Sequence, residues 1–158
     1  MTLTKDAAYG ALLDNQLIQG LSPDQAQVFY ENGKVVRAKP GMVFISEGGV
    51  NKHIYLVLSG ELEVFLPDNE NRFSKITLAM RAPGHYVGEY SFLDSSTASA
   101  SVKTNQETVL FQISHVDAES LFDSTPDIGR VIYRNLLLNL VTRLRESDQE
   151  LDMIQPFT

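Results

Sequence analysis

The 158-residue chain contains no cysteine, which excludes a disulfide framework and every metal site built on thiolates. Positive charge is also scarce, since 13 Lys and Arg stand against 20 Asp and Glu, for a net charge of -7. Binding to a polyanion requires a segregated basic face, and no segment of the chain supplies one. We therefore expect no direct DNA binding.

Long apolar runs are missing as well. The N-terminus MTLTKDAAYG lacks the apolar core of a signal peptide, and no window approaches the length of a membrane span. The length fits one domain, residues 1–158, and nothing indicates a second. These absences predict a single domain without membrane contact, and the lack of cysteine is compatible with a cytoplasmic location.

Two kinds of periodicity divide the chain. Residues 1–33 carry apolar residues at helical spacing, with a second short helix expected to begin at the Ser22 cap and Pro23. In residues 34–116, apolar and polar residues alternate in short runs, which glycine or proline separates at intervals of roughly 8–12 residues. Residues 117–154 return to helical spacing, with a long helix expected from Pro126. The predicted fold class is α+β, mainly β: a jelly roll (double-stranded β-helix) with short N-terminal helices and a long C-terminal helix.

Two motifs lie within the predicted roll. ISEGGVNKHIYLVLSGELEV joins a glycine turn at Gly48 to an aliphatic strand that ends at Gly60, and VGEYSFLDSSTASASVKT opens with Gly-Glu and closes with a small residue, Ala and a strand. Together they resemble the cyclic nucleotide-binding domain family, as in the bacterial catabolite activator and the regulatory subunits of cyclic-AMP-dependent kinase. The resemblance spans roughly residues 15–150. It implies a regulatory domain with a nucleotide pocket, not an enzyme.

The second motif resembles the family's phosphate-binding cassette. The resemblance assigns the cassette to Gly88, Glu89, Tyr90, Ser91, Ala98, Ser99 and Ala100. Glu89 falls where the family's glutamate accepts a hydrogen bond from the ribose 2′-hydroxyl. Ala98 falls where binding members carry the arginine that pairs with the cyclic phosphate, and alanine supplies neither a donor nor a charge. Losing one partner of a buried charged pair costs about 2–5 kcal/mol, so we expect weak or absent binding of cyclic AMP.

Other cations offer no clear replacement at this position. Lys103 is expected to face away from Ala98, because successive strand residues point to opposite faces. Arg72 and Arg81 have no predicted orientation.

Three functional hypotheses stay open. The first is a stand-alone regulatory domain that does not bind cyclic AMP in the usual way and acts through a ligand-modulated or ligand-free contact with a protein partner. The second is a working cyclic nucleotide sensor with an altered phosphate contact, for instance Arg143. The third is a cupin-like metal enzyme, because PGHYVGE places His85 four residues before Glu89. A paired His-x-His is missing, and the sequence does not bring His53 or His115 beside His85, so neither a metal site nor a catalytic centre is favoured.

The predicted C-terminal helix carries a second apolar pattern. The residues Leu137, Leu140, Leu144, Leu151 and Ile154 approximate a heptad seam, interrupted at Ser147 and Asp148. Packing on its own roll is the alternative, but one roll leaves the far turns of a long helix unsupported. In the family this helix commonly dimerises and closes over the pocket. The resemblance therefore implies a homodimer, with candidate lid contacts at Asn139, Thr142 and Arg143.

DNA-binding members of the family continue from this helix into a helix-turn-helix unit. Here the sequence stops at Thr158, so the output is expected to pass through a protein partner.

Overall fold

The computed structural model describes residues 3–154. Two short helices open the chain, α1 (Lys5–Leu13) and α2 (Pro23–Glu31), joined through a 3-10 turn at Gln16–Ile18. The Ser22 hydroxyl accepts a hydrogen bond from the Gln25 amide, and the Gln25 side chain accepts one from the Ser22 amide. This reciprocal pair satisfies amides that the start of a helix leaves free. The predicted cap of α2 is confirmed.

Eight strands follow and form two four-stranded antiparallel sheets. They are β1 (Lys34–Ala38), β2 (Val43–Ile45), β3 (His53–Ser59), β4 (Leu62–Leu66), β5 (Ile76–Arg81), β6 (Tyr86–Val87), β7 (Ser101–Thr104) and β8 (Thr108–Ser114). The first sheet has the order β1-β8-β3-β6 and the second β2-β7-β4-β5. Because the first strands pair with the last ones, the chain rolls up on itself as in a jelly roll. The predicted fold class is confirmed.

Three more helices flank the sheets. A short helix α3 (Glu89–Asp94) interrupts the β segment, and α4 (His115–Ser124) and α5 (Pro126–Ile154) follow it. The buried residues of α5 end at Leu136, and between residues 141 and 154 every side chain except Arg143 is exposed. The first half of α5 therefore packs on the roll, whereas the second half projects from it. No helix within residues 3–154 is both long and apolar enough to cross a membrane.

Two features fix α5 against the rest of the domain. Its buried apolar side chains join the larger core cluster: Ile128, Ile132 and Leu136. The buried Asn135 amide donates to the carbonyl oxygens of Leu17 and Gln19, both at 2.8 Å. Since a buried amide is costly unless its donors are satisfied, these bonds specify one rotation of α5. That rotation directs Arg143, two turns further along, toward the β roll.

Candidate ligand-binding site

A cavity of about 100 Å³ lies where the second sheet, α3 and α5 meet. Four apolar residues of the core between the sheets contribute to its wall: Ile45, Val64, Val87 and Val102. All seven residues of the predicted cassette also line it: Gly88, Glu89, Tyr90, Ser91, Ala98, Ser99 and Ala100. The cavity is smaller than the roughly 300–1,000 Å³ of common ligand pockets, and Arg143 of α5 is among the residues that line it.

Gly88 is required by the backbone at the start of α3. Its φ is +92°, and a Cβ at this position would lie 2.3 Å from the carbonyl oxygen of His53. The Asn51 amide donates to the carbonyl oxygens of His53 at 2.9 Å and Gly88 at 3.3 Å. The His115 Nε2 lies 3.1 Å from the same Gly88 oxygen. These contacts fix the position from which Glu89 enters the cavity.

Glu89 and Arg143 form an ion pair across the cavity. The Arg143 Nη1 donates to the Glu89 Oε1 at 2.8 Å and lies 3.2 Å from the Tyr90 hydroxyl. The Glu89 side chain is 6% exposed and that of Arg143 is 29% exposed. Burial acts to lower the pKa of the Arg143 guanidinium, but the Glu89 charge and the hydrogen bonds to Glu89 and Tyr90 outweigh it and raise the pKa above its ordinary value. The pair links α5 directly to the predicted cassette.

The other two candidate lid residues have different surroundings. The Asn139 amide donates to the hydroxyl of Tyr86, whose pKa is raised by burial. Thr142 is exposed, and its hydroxyl donates to the Leu138 carbonyl on its own helix at 3.0 Å. Of the three predicted lid residues, only Arg143 lines the cavity.

Ala98 places a methyl group at the cavity wall. Its backbone is paired with the glycine turn, because the Gly48 amide donates to the Ala98 carbonyl at 2.8 Å and the Ala98 amide donates to the Gly49 carbonyl at 2.9 Å. Two nearby cations are committed elsewhere. Arg72 pairs with Glu47 at 3.2 Å, and Lys103 lies on the outer face of the sheet, 3.9 Å from Glu63.

Arg81 lines the cavity, although the sequence predicts no orientation for its side chain. In the register of β5 it pairs with Leu62, and its side chain lines the cavity together with Arg143. Asn51 is a second such residue, in the turn before β3. The sequence contains no local signal for either residue, since both reach the cavity through strand pairings and turns that are not local.

The histidines behind the metal-enzyme alternative are also placed. Burial lowers the pKa of His85, and the charge of Arg81 lowers it further. His53 and His115 lie near each other, beside Gly88, and burial lowers the pKa of both. Residues 3–154 contain no group of three or more His, Cys, Asp or Glu side chains arranged to hold a metal ion.

Comparisons with known proteins identify relatives of this chain. Among curated proteins, the cyclic AMP receptor protein of Thermus thermophilus is 30% identical over 141 residues, covering 87% of this chain and 61% of that protein. The Pycsar effector protein PaPycTIR of Pseudomonas aeruginosa is 27% identical over 146 residues, covering 92% of this chain and 42% of that protein. The chain therefore spans about half the length of these two relatives.

A solved structure shares the fold. The cyclic nucleotide-binding domain from Methylobacillus flagellatus has a TM-score of 0.80 at 22% identity, covering 96% of this chain and 85% of the solved chain. Residues 35–125, more than half of the chain, match the model of the cyclic nucleotide-binding domain. The chain belongs to the cyclic nucleotide-binding domain family.

Proposed function

We propose that this protein is a non-enzymatic regulatory domain in which a nucleotide-class ligand in the cavity controls the position of α5. The observation that carries the proposal is the bond from Arg143 on α5 to Glu89 in the cassette. A ligand hydroxyl that bonds to Glu89 competes with Arg143 for the same carboxylate oxygens. Binding then favours a different arrangement of α5, which is the differential affinity that a population shift requires.

The alanine at position 98 indicates that cyclic AMP is not held in the family's usual way. Without a guanidinium at this position, a loss of about 2–5 kcal/mol corresponds to a roughly thirtyfold to several-thousandfold weaker affinity. We therefore propose that cyclic AMP binds weakly and that the physiological ligand makes its anionic contact elsewhere in the cavity.

The exposed leucine stripe of α5, which begins at Leu137 and continues along the projecting half, is the proposed output surface. Leu137, Leu144 and Leu151 are spaced by seven residues and are 63%, 64% and 59% exposed. A heptad stripe of exposed leucines on a helix that its own domain does not cover fits a coiled-coil contact. We propose that two copies of the chain pair along this stripe, and that a protein partner reads the dimer.

The test is thermal unfolding with cyclic mononucleotides, cyclic dinucleotides and AMP at millimolar concentration. A ligand at 100 times its Kd adds about 2.7 kcal/mol, and each kcal/mol moves the Tm of a domain of this size by roughly 2–4 °C. We expect at least one of these ligands to raise the Tm by several degrees, with the shift strongly reduced in Glu89→Gln.

The matched control is Glu47→Gln, because Glu47 is also a carboxylate bonded to an arginine but does not line the cavity. It should keep the full ligand shift. No shift with any of the nucleotides in the wild-type protein would contradict a nucleotide ligand and leave a ligand-free interaction domain. A shift that survives intact in Glu89→Gln would contradict the proposed role of this carboxylate.

A further inference from the structure

Arg81 enters the cavity on a strand whose polarity is reversed. Along β5 the apolar side chains of Ile76, Leu78 and Met80 are 46%, 53% and 42% exposed, whereas Arg81 faces inward and lines the cavity. Burial of apolar groups favours the opposite arrangement. A charged side chain that faces inward at a cavity, while its apolar neighbours face solvent, is typical of a functional position.

Within residues 3–154, the guanidinium of Arg81 forms no ion pair with a carboxylate. Four other cations, Arg72, Lys75, Lys103 and Arg143, form ion pairs with carboxylates. Arg81 donates only to the backbone carbonyl of Met80, at 3.2 Å, within residues 3–154. A guanidinium carries five N–H donors, so most of its capacity is unused.

The surroundings make this charge costly. Arg81 is half-buried. Burial lowers the pKa of Arg81 and the charge of Arg143 lowers it further, and the opposing charges of Glu89 and Glu146 offset this only in part. An anion in the cavity would offset both effects, since a negative group next to two cations stabilises their charged forms.

The position of Arg81 differs from that of the missing cassette arginine. Arg81 lies at the end of β5, opposite Leu62 on β4, whereas Ala98 lies beside the glycine turn and is bonded to Gly48 and Gly49. Both residues line the cavity, but they belong to different elements. The guanidinium of Arg81 therefore reaches the cavity from a different element than an arginine at position 98 would.

We propose that Arg81 binds an oxyanion of the ligand, a phosphate or a carboxylate, between itself and Arg143. Both groups match the planar fork of a guanidinium. This inference rests on the proposed function, because it assumes that the cavity is a ligand pocket. An oxyanion at this place also attracts Arg143 away from Glu89, so the same contact that holds the ligand acts on α5.

The experiment compares the wild-type protein with Arg81→Gln, Arg81→Lys and the control Arg72→Gln. The control also replaces a guanidinium by an amide, but Arg72 lies outside the cavity and is bonded to Glu47. The probes are inorganic phosphate, cyclic AMP and succinate, each compared with sodium chloride at equal ionic strength. Thermal unfolding gives the stabilisation, and calorimetric titration gives the Kd.

We expect phosphate, cyclic AMP or succinate to stabilise the wild-type protein above the chloride reference, and the responding probe identifies the anion. Its Kd should rise about tenfold or more in Arg81→Gln, because one partner of a charged contact is lost. The Kd of Arg81→Lys should lie between those of the wild type and Arg81→Gln, and the Kd of Arg72→Gln should equal that of the wild type.

Two results overturn the inference: no stabilisation of the wild-type protein by any of the three probes, or an unchanged Kd in Arg81→Gln. Its failure is separable from failure of the proposed function. Nucleotide binding that depends on Glu89 but not on Arg81 removes only the inference. Stabilisation by phosphate or succinate that depends on Arg81, without any response to nucleotides, removes only the nucleotide-regulated function.

Discussion

The ion pair between Glu89 and Arg143 predicts an asymmetric response to mutation. Arg143→Gln leaves the Glu89 carboxylate, 6% exposed, without its cation. Removing one partner of a fully buried pair costs about 3–5 kcal/mol. Because Arg143 is 29% exposed and water reaches the site, we expect a smaller loss of unfolding free energy, about 2–3 kcal/mol.

The reverse substitution should cost less. Glu89→Gln leaves the Arg143 guanidinium, which sits on a long side chain at the edge of the projecting helix and can turn into solvent. We expect a loss of about 1 kcal/mol. At roughly 2–4 °C per kcal/mol, Tm should fall by about 4–12 °C in Arg143→Gln and by about 2–4 °C in Glu89→Gln.

Urea unfolding of both single variants and the double variant measures the coupling between the two side chains. A contact of this kind should give a coupling free energy of about 1–2 kcal/mol. The control is Arg134→Gln, which removes an exposed arginine from the same helix and should change stability by less than about 0.5 kcal/mol. The reasoning is refuted if Arg143→Gln resembles Arg134→Gln, or if the coupling is near zero.

Three further outcomes are expected. In urea unfolding, Gly88→Ala should lower the unfolding free energy by about 3 kcal/mol or more and Gly48→Ala by about 1–2 kcal/mol. The φ angle is positive at both positions (92° and 79°), but only the Cβ added at Gly88 meets a backbone oxygen, at 2.3 Å. Equal losses in the two variants would count against this steric explanation. Burial lowers the pKa of His115 from 6.5, so the unfolded chain takes up the proton first and stability falls as the pH drops below about 6.5. Between about pH 7.5 and 5.5, the Tm of His115→Gln should therefore fall less than the Tm of the wild type. An equal fall would be evidence against the contribution of this histidine. Light scattering should find the wild type dimeric and Leu144→Glu monomeric with an unchanged far-UV spectrum, and a monomeric wild type would exclude the helix-mediated dimer.

The architecture could be predicted from the sequence because its signals are local. Period-two runs between glycine and proline turns indicate a β roll, and the Ser22 cap and Pro126 mark where helices begin. The two motifs then identify the family, and the family resemblance makes Glu89 a cassette residue and Arg143 one of three candidate lid contacts. In the structure these two residues, 54 positions apart, are bonded to each other.

The face of β5 could not be predicted. Alternation in ITLAMR favours Ile76, Leu78 and Met80 on the inner face, but the structure exposes them and directs Arg81 into the cavity. The register between β4 and β5 shifts between Val64 and Phe65. Such an irregularity changes which residues oppose each other, and it depends on pairing across the hairpin rather than on local propensity.

The most direct test of the account is calorimetric titration of cyclic AMP into the wild-type protein and into Ala98→Arg. Because the wild-type cavity lacks the cassette guanidinium, its Kd should lie near the millimolar range. Restoring the guanidinium should recover the roughly 2–5 kcal/mol that a charged contact contributes and tighten binding by about thirtyfold or more. Micromolar binding by the wild type that Ala98→Arg does not improve would contradict the account.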